Sequence, residues 1–443
     1  GNKYTPTWSA SDDRIDVPEA IEAWRAYKQE EGLTGFADML EAVLEQELVP
    51  DARVLIIDEF QDITTLQYLV YELWKPHMET ILIAGDDDQV VYEWQGADPA
   101  LLLDADRTED VILPNSYRLP SRVLEVVNTE IRHLDRRQEK DLKPRKEGGD
   151  VEARSNPSML DVVRDVRTTI AADAETTVMV LFRARYQLFQ FLDEFIGEGI
   201  PFRMLTEQRM WTDRLTEYVR AVEAMAAGET VTGLQTRRLA DMLQDSAFGT
   251  NERDALFELV DTHMEQSAET ALSRLEIPVA EIRVIAPFAP APEAAADMVR
   301  KVTSYQRKSI DAYFDGPHGG MDPGRVRVGT IHSAKGREAD HVYLATDLTE
   351  KVVEQIAATI SDGPEDGVPF ELQDGRVPAL TDSERRVFFV GMSRARERLV
   401  LLEDLISGAP TLPVSVLLHN ELRETPVEEL VGAVAGDTVS PEA

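Results

Sequence analysis

Apolar residues recur along this chain in two rhythms, and each predicts a different element. Over residues 14–50 they fall at the three-and-four spacing of one helical face, as in Phe36, Met39, Leu40, Val43 and Leu44. At 54–57 the pattern changes to an unbroken run, Val-Leu-Ile-Ile, that stops at two acids, which is how a buried parallel strand reads. The same design returns at 81–84, ending in Gly85-Asp86, and 111–113 is a third strand candidate ahead of a helix over 121–133. Strands alternating with helices predict a doubly wound α/β sheet. Residues 135–150 are charged, end near Gly148-Gly149 and read as a linker. A second α/β unit follows, with a strand at 178–182 and an amphipathic helix at 186–196. Residues 206–315 are helical in pattern with no strong strand, apart from a loop over 286–296. Gly316 to Gly324 forms a turn-rich return to strands at 326–330 and 342–345, and a helix over 384–398 leads into a strand at 399–402.

Composition narrows the class. The chain has 443 residues, enough for two to four domains, and 43% of them are hydrophobic, so a packed core is expected. There are no cysteines, which removes disulfides, thiolate metal sites and cysteine nucleophiles. No apolar stretch reaches the length of a membrane span and no cleavable leader opens the sequence, which points to the cytoplasm. The net charge is −36, from 82 acidic and 46 basic residues, and only 10 of the basic ones are lysine. The acids are spread along the whole length. Such a surface repels itself at low ionic strength. In molar salt the Debye length falls to about 3 Å and the repulsion is screened. A hypersaline cytoplasm is therefore expected. The charge argues against a nucleic-acid partner, unless binding leans on base stacking and a locally basic groove.

Two clusters carry chemistry. In Asp58-Glu59-Phe60-Gln61-Asp62, an apolar strand delivers two carboxylates to the carboxyl edge of a parallel sheet, where ligands bind in such folds. Nucleotide hydrolysis needs one carboxylate for the Mg²⁺ shell and a second group to orient the attacking water. Asp58 suits the metal and Glu59 the base; the alternative is a solvated acidic turn. In Gly85-Asp86-Asp87-Asp88-Gln89, Gln89 is placed to reach a γ-phosphate or the hydrolytic water. Tyr92 and Trp94 lie two apart, so in extended chain they share a face. Stacking on unpaired bases, worth about 1–3 kcal/mol each, competes with a plain core role for both rings.

With those residues in hand the sequence resembles the UvrD/Rep-type superfamily 1 helicases. Residues 58–62 and 85–98 look like that family's motifs II and III. Leu113-Pro114-Asn115-Ser116-Tyr117-Arg118 is similar to motif IV, and Val180 to Arg185 resembles the first strand of the second RecA-like domain. Residues 329–338 look like motif V and 390–396 like motif VI. The resemblance implies that Tyr117 stacks on adenine and that Glu338 bonds the ribose. It makes Arg118 and Arg394 arginine fingers on the γ-phosphate, one from each RecA-like domain; arginine suits this because it stays charged and grips phosphate bidentately. It makes Gln89 the coupler of nucleotide state to DNA, and sets Thr330 and His332 against the DNA backbone or between the two sites. Lys335 and Arg183 receive no role.

The departures matter as much. No G-x-x-x-x-G-K-[ST] run, whose amides cradle phosphates, occurs anywhere in the sequence. The first residue is Gly1, and only 57 residues precede Asp58, so the expectation is a fragment, or one half of a split motor whose second chain supplies the phosphate loop. Arg337 and Ala339-Asp340 stand where relatives have apolar residues around Glu338. The fold expected is α/β: two RecA-like parallel-sheet domains, the first partial, with helical insertions. Residues 1–50 end the insertion of the first domain, 51–135 are that partial domain, and 136–205 begin the second. Residues 206–325 are its helical insertion, 326–425 its remainder, and 426–443 a flexible tail. The activity implied is an ATP- and Mg²⁺-dependent helicase or translocase, 3′ to 5′ on single-stranded or duplex DNA, in repair or replication. The alternative is a non-hydrolysing DNA-binding or regulatory remnant.

Overall fold

Both strand-and-acid runs fold as parallel strands, although neither is the buried strand that the pattern predicts. In the computed structural model, which describes residues 17–206, 211–315, 321–349, 351–352 and 381–406, Val54–Ile57 (β1) and Thr80–Ile83 (β2) lie parallel and in register, Val54 opposite Thr80. Contacts divide the chain into two compact units, Gly1–Asp106 and Arg107–Ala443. In the first unit the helices α1 (Val17–Glu30) and α2 (Phe36–Glu45) precede β1. Helix α3 (Thr65–Trp74) links the strands and α4 (Pro99–Leu103) follows β2. Thr64 starts α3 by accepting from the Gln67 amide, while Gln67 answers with its own carbonyl on the Thr64 N–H. Burial alternates along each strand, and one face stays open: Val54, Ile56 and Leu82 are all more than half exposed, Ile56 at 69%.

The second unit is built on six parallel strands in the order β3-β10-β9-β4-β8-β5. They are β3 (Asp150–Ser155), β4 (Val178–Phe182), β5 (Arg203–Met204), β8 (Val326–Thr330), β9 (Ala339–Ala345) and β10 (Ala395–Glu403). A short antiparallel pair, β6 (Val231–Thr232) and β7 (Glu276–Ile277), sits apart from them. The helices are α5 (Ser121–Ile131), α6 (Met159–Ala172), α7 (Arg185–Gly197), α8 (Asp213–Ala227), α9 (Gly233–Met242), α10 (Asp254–Gln266), α11 (Val279–Ile285), α12 (Ser304–Asp315) and α13 (Asp382–Met392). Every residue of β4 is buried, as a strand covered on both faces demands. A run of rings, Phe182, Phe191, Phe195 and Phe202, spaced 5.1–5.3 Å, joins β4 to α7 and to the approach to β5. The helices after β5 share this core, and Tyr218 of α8 donates its buried hydroxyl to Ala295 O at 2.9 Å. The result is a mixed α/β fold with parallel sheets.

Several expectations need correction. Residues 111–113 form no strand, and Leu113 is 79% exposed; the run is short and ends at Pro114, which has no N–H for a ladder. Residues 107–135 pack with the second unit, not the first. Helix α5 lies on α13, where buried Arg385 meets buried Glu130 at 2.7 Å. The linker reading of 135–150 stops short, because Asp150 already begins edge strand β3. The helical region contains β6 and β7. The helix expected over 384–398 ends at Met392, so Arg394 sits in a turn and β10 starts at Ala395. The expected tail, 426–443, and residues 316–320 lie outside the described residues. Among the described residues no helix is long and apolar enough to cross a membrane.

Candidate functional site

In the first unit the two loops that follow β1 and β2 are tied into one polar group. The ladder continues past the strands, with Ala84 N–H donating to Ile57 O (2.8 Å) and Phe60 N–H to Ala84 O (2.9 Å). That pulls Asp58-Glu59 level with Gly85-Asp86. Gln61, fully buried, then bridges them: its Nε2 donates to Glu59 Oε2 at 2.5 Å and its Oε1 accepts the Asp86 N–H at 3.0 Å. A Cβ on Gly85 would fall 2.5 Å from Gln61 Oε1, so only glycine lets this bridge form. Glu59 adopts φ 53°, a left-handed conformation that costs a non-glycine residue roughly 1 kcal/mol or more and holds its carboxylate at the loop crest. Gln89 donates from Nε2 to Asp86 Oδ2 at 2.6 Å. Asp58, Glu59 and Gln89 are thus brought into one hydrogen-bonded assembly through Gln61 and Asp86. The carboxylates of Asp86, Asp87 and Asp88 offer oxygens within 4.8 Å of one another, close enough to ligate one divalent ion, and exposed Asp58 adds a further carboxylate at the strand end.

Downstream of β2, Tyr92 and Trp94 are not in extended chain, contrary to expectation. They belong to a 3-10 turn at Glu93–Gln95, with Tyr92 as its N-cap. Tyr92 is half-buried, its hydroxyl pushed up by burial and by nearby Asp62. Trp94 is 65% exposed and so is not a core residue.

The second unit gathers another group. Arg118, held below the usual guanidinium range by burial, donates from Nε to Glu338 Oε2 (2.9 Å) and from Nη1 to Ser393 O (3.2 Å). Arg396 grips the other oxygen of Glu338. Arg394 is buried; it donates from Nε to Val390 O (2.8 Å) and from Nη2 to Ser393 Oγ (2.7 Å). Arg118 and Arg394 therefore meet at Ser393, and Glu338 holds Arg118. Tyr117, next to them in sequence, is 85% exposed. At the end of β8, Thr330 Oγ1 accepts from Ser333 N–H (3.4 Å) and heads a 3-10 turn that carries His332. Burial and then Arg183 push the His332 imidazole down to about 4, so it is neutral near neutral pH. Arg183, unassigned from sequence, forms a two-pronged pair with buried Glu384 at 2.7 and 2.5 Å.

Sequence reasoning missed Gln61, Asp86, Ser393 and Arg396. Gln61 and Asp86 were legible in principle, since each is polar and lies within four residues of a strand end. Ser393 lies in the turn after α13 and Arg396 on β10, so the placing of both depends on where α13 stops.

Residues 2–110 match the UvrD/REP helicase N-terminal domain and residues 317–403 the UvrD-like helicase C-terminal domain. The chain is similar to UvrD/Rep-type helicases. DNA helicase II of Haemophilus influenzae is 24% identical over 447 residues, covering 84% of this chain and 59% of that protein. The ATP-dependent DNA helicase UvrD2 of Mycobacterium tuberculosis is 25% identical over 386 residues, covering 82% and 49%. The ATP-dependent DNA helicase PcrA of Staphylococcus epidermidis is 26% identical over 180 residues, covering 38% and 25%. This chain thus spans a quarter to about three fifths of the length of these UvrD/Rep-type relatives.

Proposed function

We propose that the chain is the larger part of an ATP-dependent DNA helicase or translocase, moving 3′ to 5′ on single strands in repair or replication, within a salt-rich cytoplasm. The observation that carries this reading is the bond from Arg118 to Ser393 O, which sets side by side two arginines that are 276 positions apart in sequence. Two guanidiniums bonded to one residue at a turn suit a polyphosphate far better than a surface of scattered ion pairs. The organisation into two RecA-like regions with helical insertions stands as part of the proposal, with 107–135 moved to the second region.

In this reading Asp58 holds Mg²⁺, which neutralises phosphate charge when bound, and Glu59 takes the proton of the attacking water. Exposed Asp58 and the strained crest at Glu59 fit those tasks. Gln89 reports nucleotide state to the DNA side through Asp86. Arg118 and Arg394 stabilise the charge that builds on the phosphoryl group, Tyr117 stacks on adenine, and Glu338 turns from its arginines to the ribose. Trp94 and Tyr92 stack on bases, and Thr330 and neutral His332 touch the DNA backbone.

We further infer that the phosphate loop comes from a segment beyond these 443 residues, on the same or a second chain. The open apolar face of β1 and β2 supports this, since two strands cannot make a core alone. The test joins this chain to a phosphate-loop segment of a relative and follows DNA-stimulated ATP hydrolysis. Turnover is expected only in the joined protein, and Glu59→Gln is expected to lower it more than about a hundredfold while ATP still binds. Near-normal turnover in Glu59→Gln overturns the base assignment. Tight DNA binding with no turnover in any pairing favours a non-hydrolysing subunit.

A further inference from the structure

A cavity of about 560 Å³ opens beside β5, the edge strand of the six-stranded sheet, and none of the described residues that line it has been given a role above. Its lining includes Arg203, Arg327, Arg337, Trp211 and Asp322. Arg203 and Arg327 are register partners on β5 and β8, so their side chains leave the same face next to each other. Three guanidiniums on one cavity repel. Arg327 shows it, being held below its usual range by burial and then by Arg337 and Arg203.

In a chain with 82 acids and 46 bases, an arginine normally finds a carboxylate. Arg203 does, pairing with Asp213 at 2.7 Å. Arg327 and Arg337 do not: among the described residues they donate only to backbone, Arg327 to Gly324 O (3.0 Å) and Arg337 to Leu205 O (3.3 Å). Asp322 lines the same cavity and attracts Arg327, but it lies beyond ion-pair range and accepts the Gly324 N–H. A fourth donor is idle. Trp211 is 2% exposed and, among the described residues, its Nε1–H has no hydrogen-bond partner. A buried donor left unmade costs more than a bond gained, so such a group points to an acceptor that completes it. Arg337 is also one of the positions where this sequence departs from the helicase pattern, so the cavity gives a physical reason for that departure.

We propose that this cavity binds a phosphate-type oxyanion, with Arg327 and Arg337 as its charged donors, Trp211 Nε1 as a neutral one, and Arg203 completing the positive wall. The backbone of a single strand and free phosphate present the same chemistry, and this assignment does not depend on the helicase reading.

The test titrates inorganic phosphate into the full chain at constant ionic strength, following ³¹P line width and heat of binding. Saturable one-to-one binding is expected. Arg327→Gln and Arg337→Gln should each weaken it at least about tenfold, and Trp211→Phe, which keeps the ring and removes the donor, about threefold. Arg327→Lys should retain most of the affinity, and a thermal melt matching the parent shows that each variant is folded. Linear, non-saturating uptake overturns the proposal. So does unchanged affinity in both glutamine variants. An oligothymidylate that displaces phosphate identifies the strand backbone as the source; one that binds without displacing it identifies free phosphate.

Discussion

Glu338 accepts the Nε–H of Arg118 at 2.9 Å although 220 positions of chain lie between them. Both side chains are about one-third exposed, so solvent screens the pair and its share of stability is under about 1 kcal/mol. Its use is to aim a guanidinium. Arg118→Lys keeps the charge and loses the fork. It is expected to leave the thermal melt within a few degrees of the parent while lowering ATP turnover of the completed enzyme by about a thousandfold. Calorimetry and a phosphate-release assay check the two halves, and a large loss of stability with normal turnover counts against the role.

Glu130 and Arg385 are the opposite case, because both are buried. Removing one partner strands the other charge away from water. Glu130→Gln is expected to cost roughly 3 kcal/mol, and Glu130→Gln combined with Arg385→Met clearly less. Urea unfolding of the two single variants and the double measures the coupling; additive losses would mean the pair is not a unit.

Two buried groups pull stability in opposite directions with pH. His332 titrates near 4 in the fold against 6.5 when unfolded. Between those values the unfolded chain binds a proton that the folded one refuses, so stability falls as pH drops through that window. Burial lifts Asp347 from 3.8 to about 6. There the folded chain holds the extra proton, so stability is gained as pH falls from about 6 and offsets part of the histidine loss. Its Oδ1 accepts the Ile406 N–H at 3.0 Å, but among the described residues the buried Oδ2 has no partner, so the charged form is a liability at neutral pH. His332→Gln should flatten the decline between 6.5 and 4. Asp347→Asn should raise stability by roughly 1 kcal/mol near neutrality and not near pH 4. Urea midpoints across pH test both, and a steeper decline in the histidine variant reverses the assignment.

Trp94 stands mostly in solvent, so Trp94→Ala should change stability by less than about 0.5 kcal/mol. Loss of one stacking platform should nevertheless weaken single-strand binding by about five- to a hundredfold. Fluorescence anisotropy with an oligothymidylate measures it. Equal affinity in the variant removes Trp94 from the DNA path.

With a net charge of −36, raising KCl from about 0.1 M to molar levels should increase the melting temperature, as screening shortens from about 10 Å to about 3 Å. A flat or falling melting temperature marks an ordinary acidic protein.

Strands whose residues are buried on both faces were legible from the sequence, because burial leaves nothing but apolar types. The reading of 178–182 matches β4 residue for residue. Strand β3 was not legible, since its Asp-Val-Glu-Ala-Arg-Ser can be polar where an edge meets solvent. The end of α13 was missed for a related reason. The run 393–398 is almost wholly polar, so no apolar period marks where the helix stops; Arg394 sits in a turn, and Arg396 and Arg398 alternate along a strand. In the first unit, the acids at the ends of β1 and β2 could be paired by pattern, whereas the link through Gln61 depends on a contact across 25 positions.

The position of β10 carries a cost in time. Among the described residues strand β3 is hydrogen-bonded to β10 alone, so from Ser155 to Ala395 the growing polypeptide must wait for that neighbour. At ribosomal rates of about 5–20 residues per second, that is roughly ten to fifty seconds with a lone strand edge displayed. A nascent intermediate lasting so long is an obvious client for chaperones and an obvious seed for misassembly. Slow synthesis should therefore lower the yield of native molecules, and the last turn of the sheet, not the first, sets the pace of maturation.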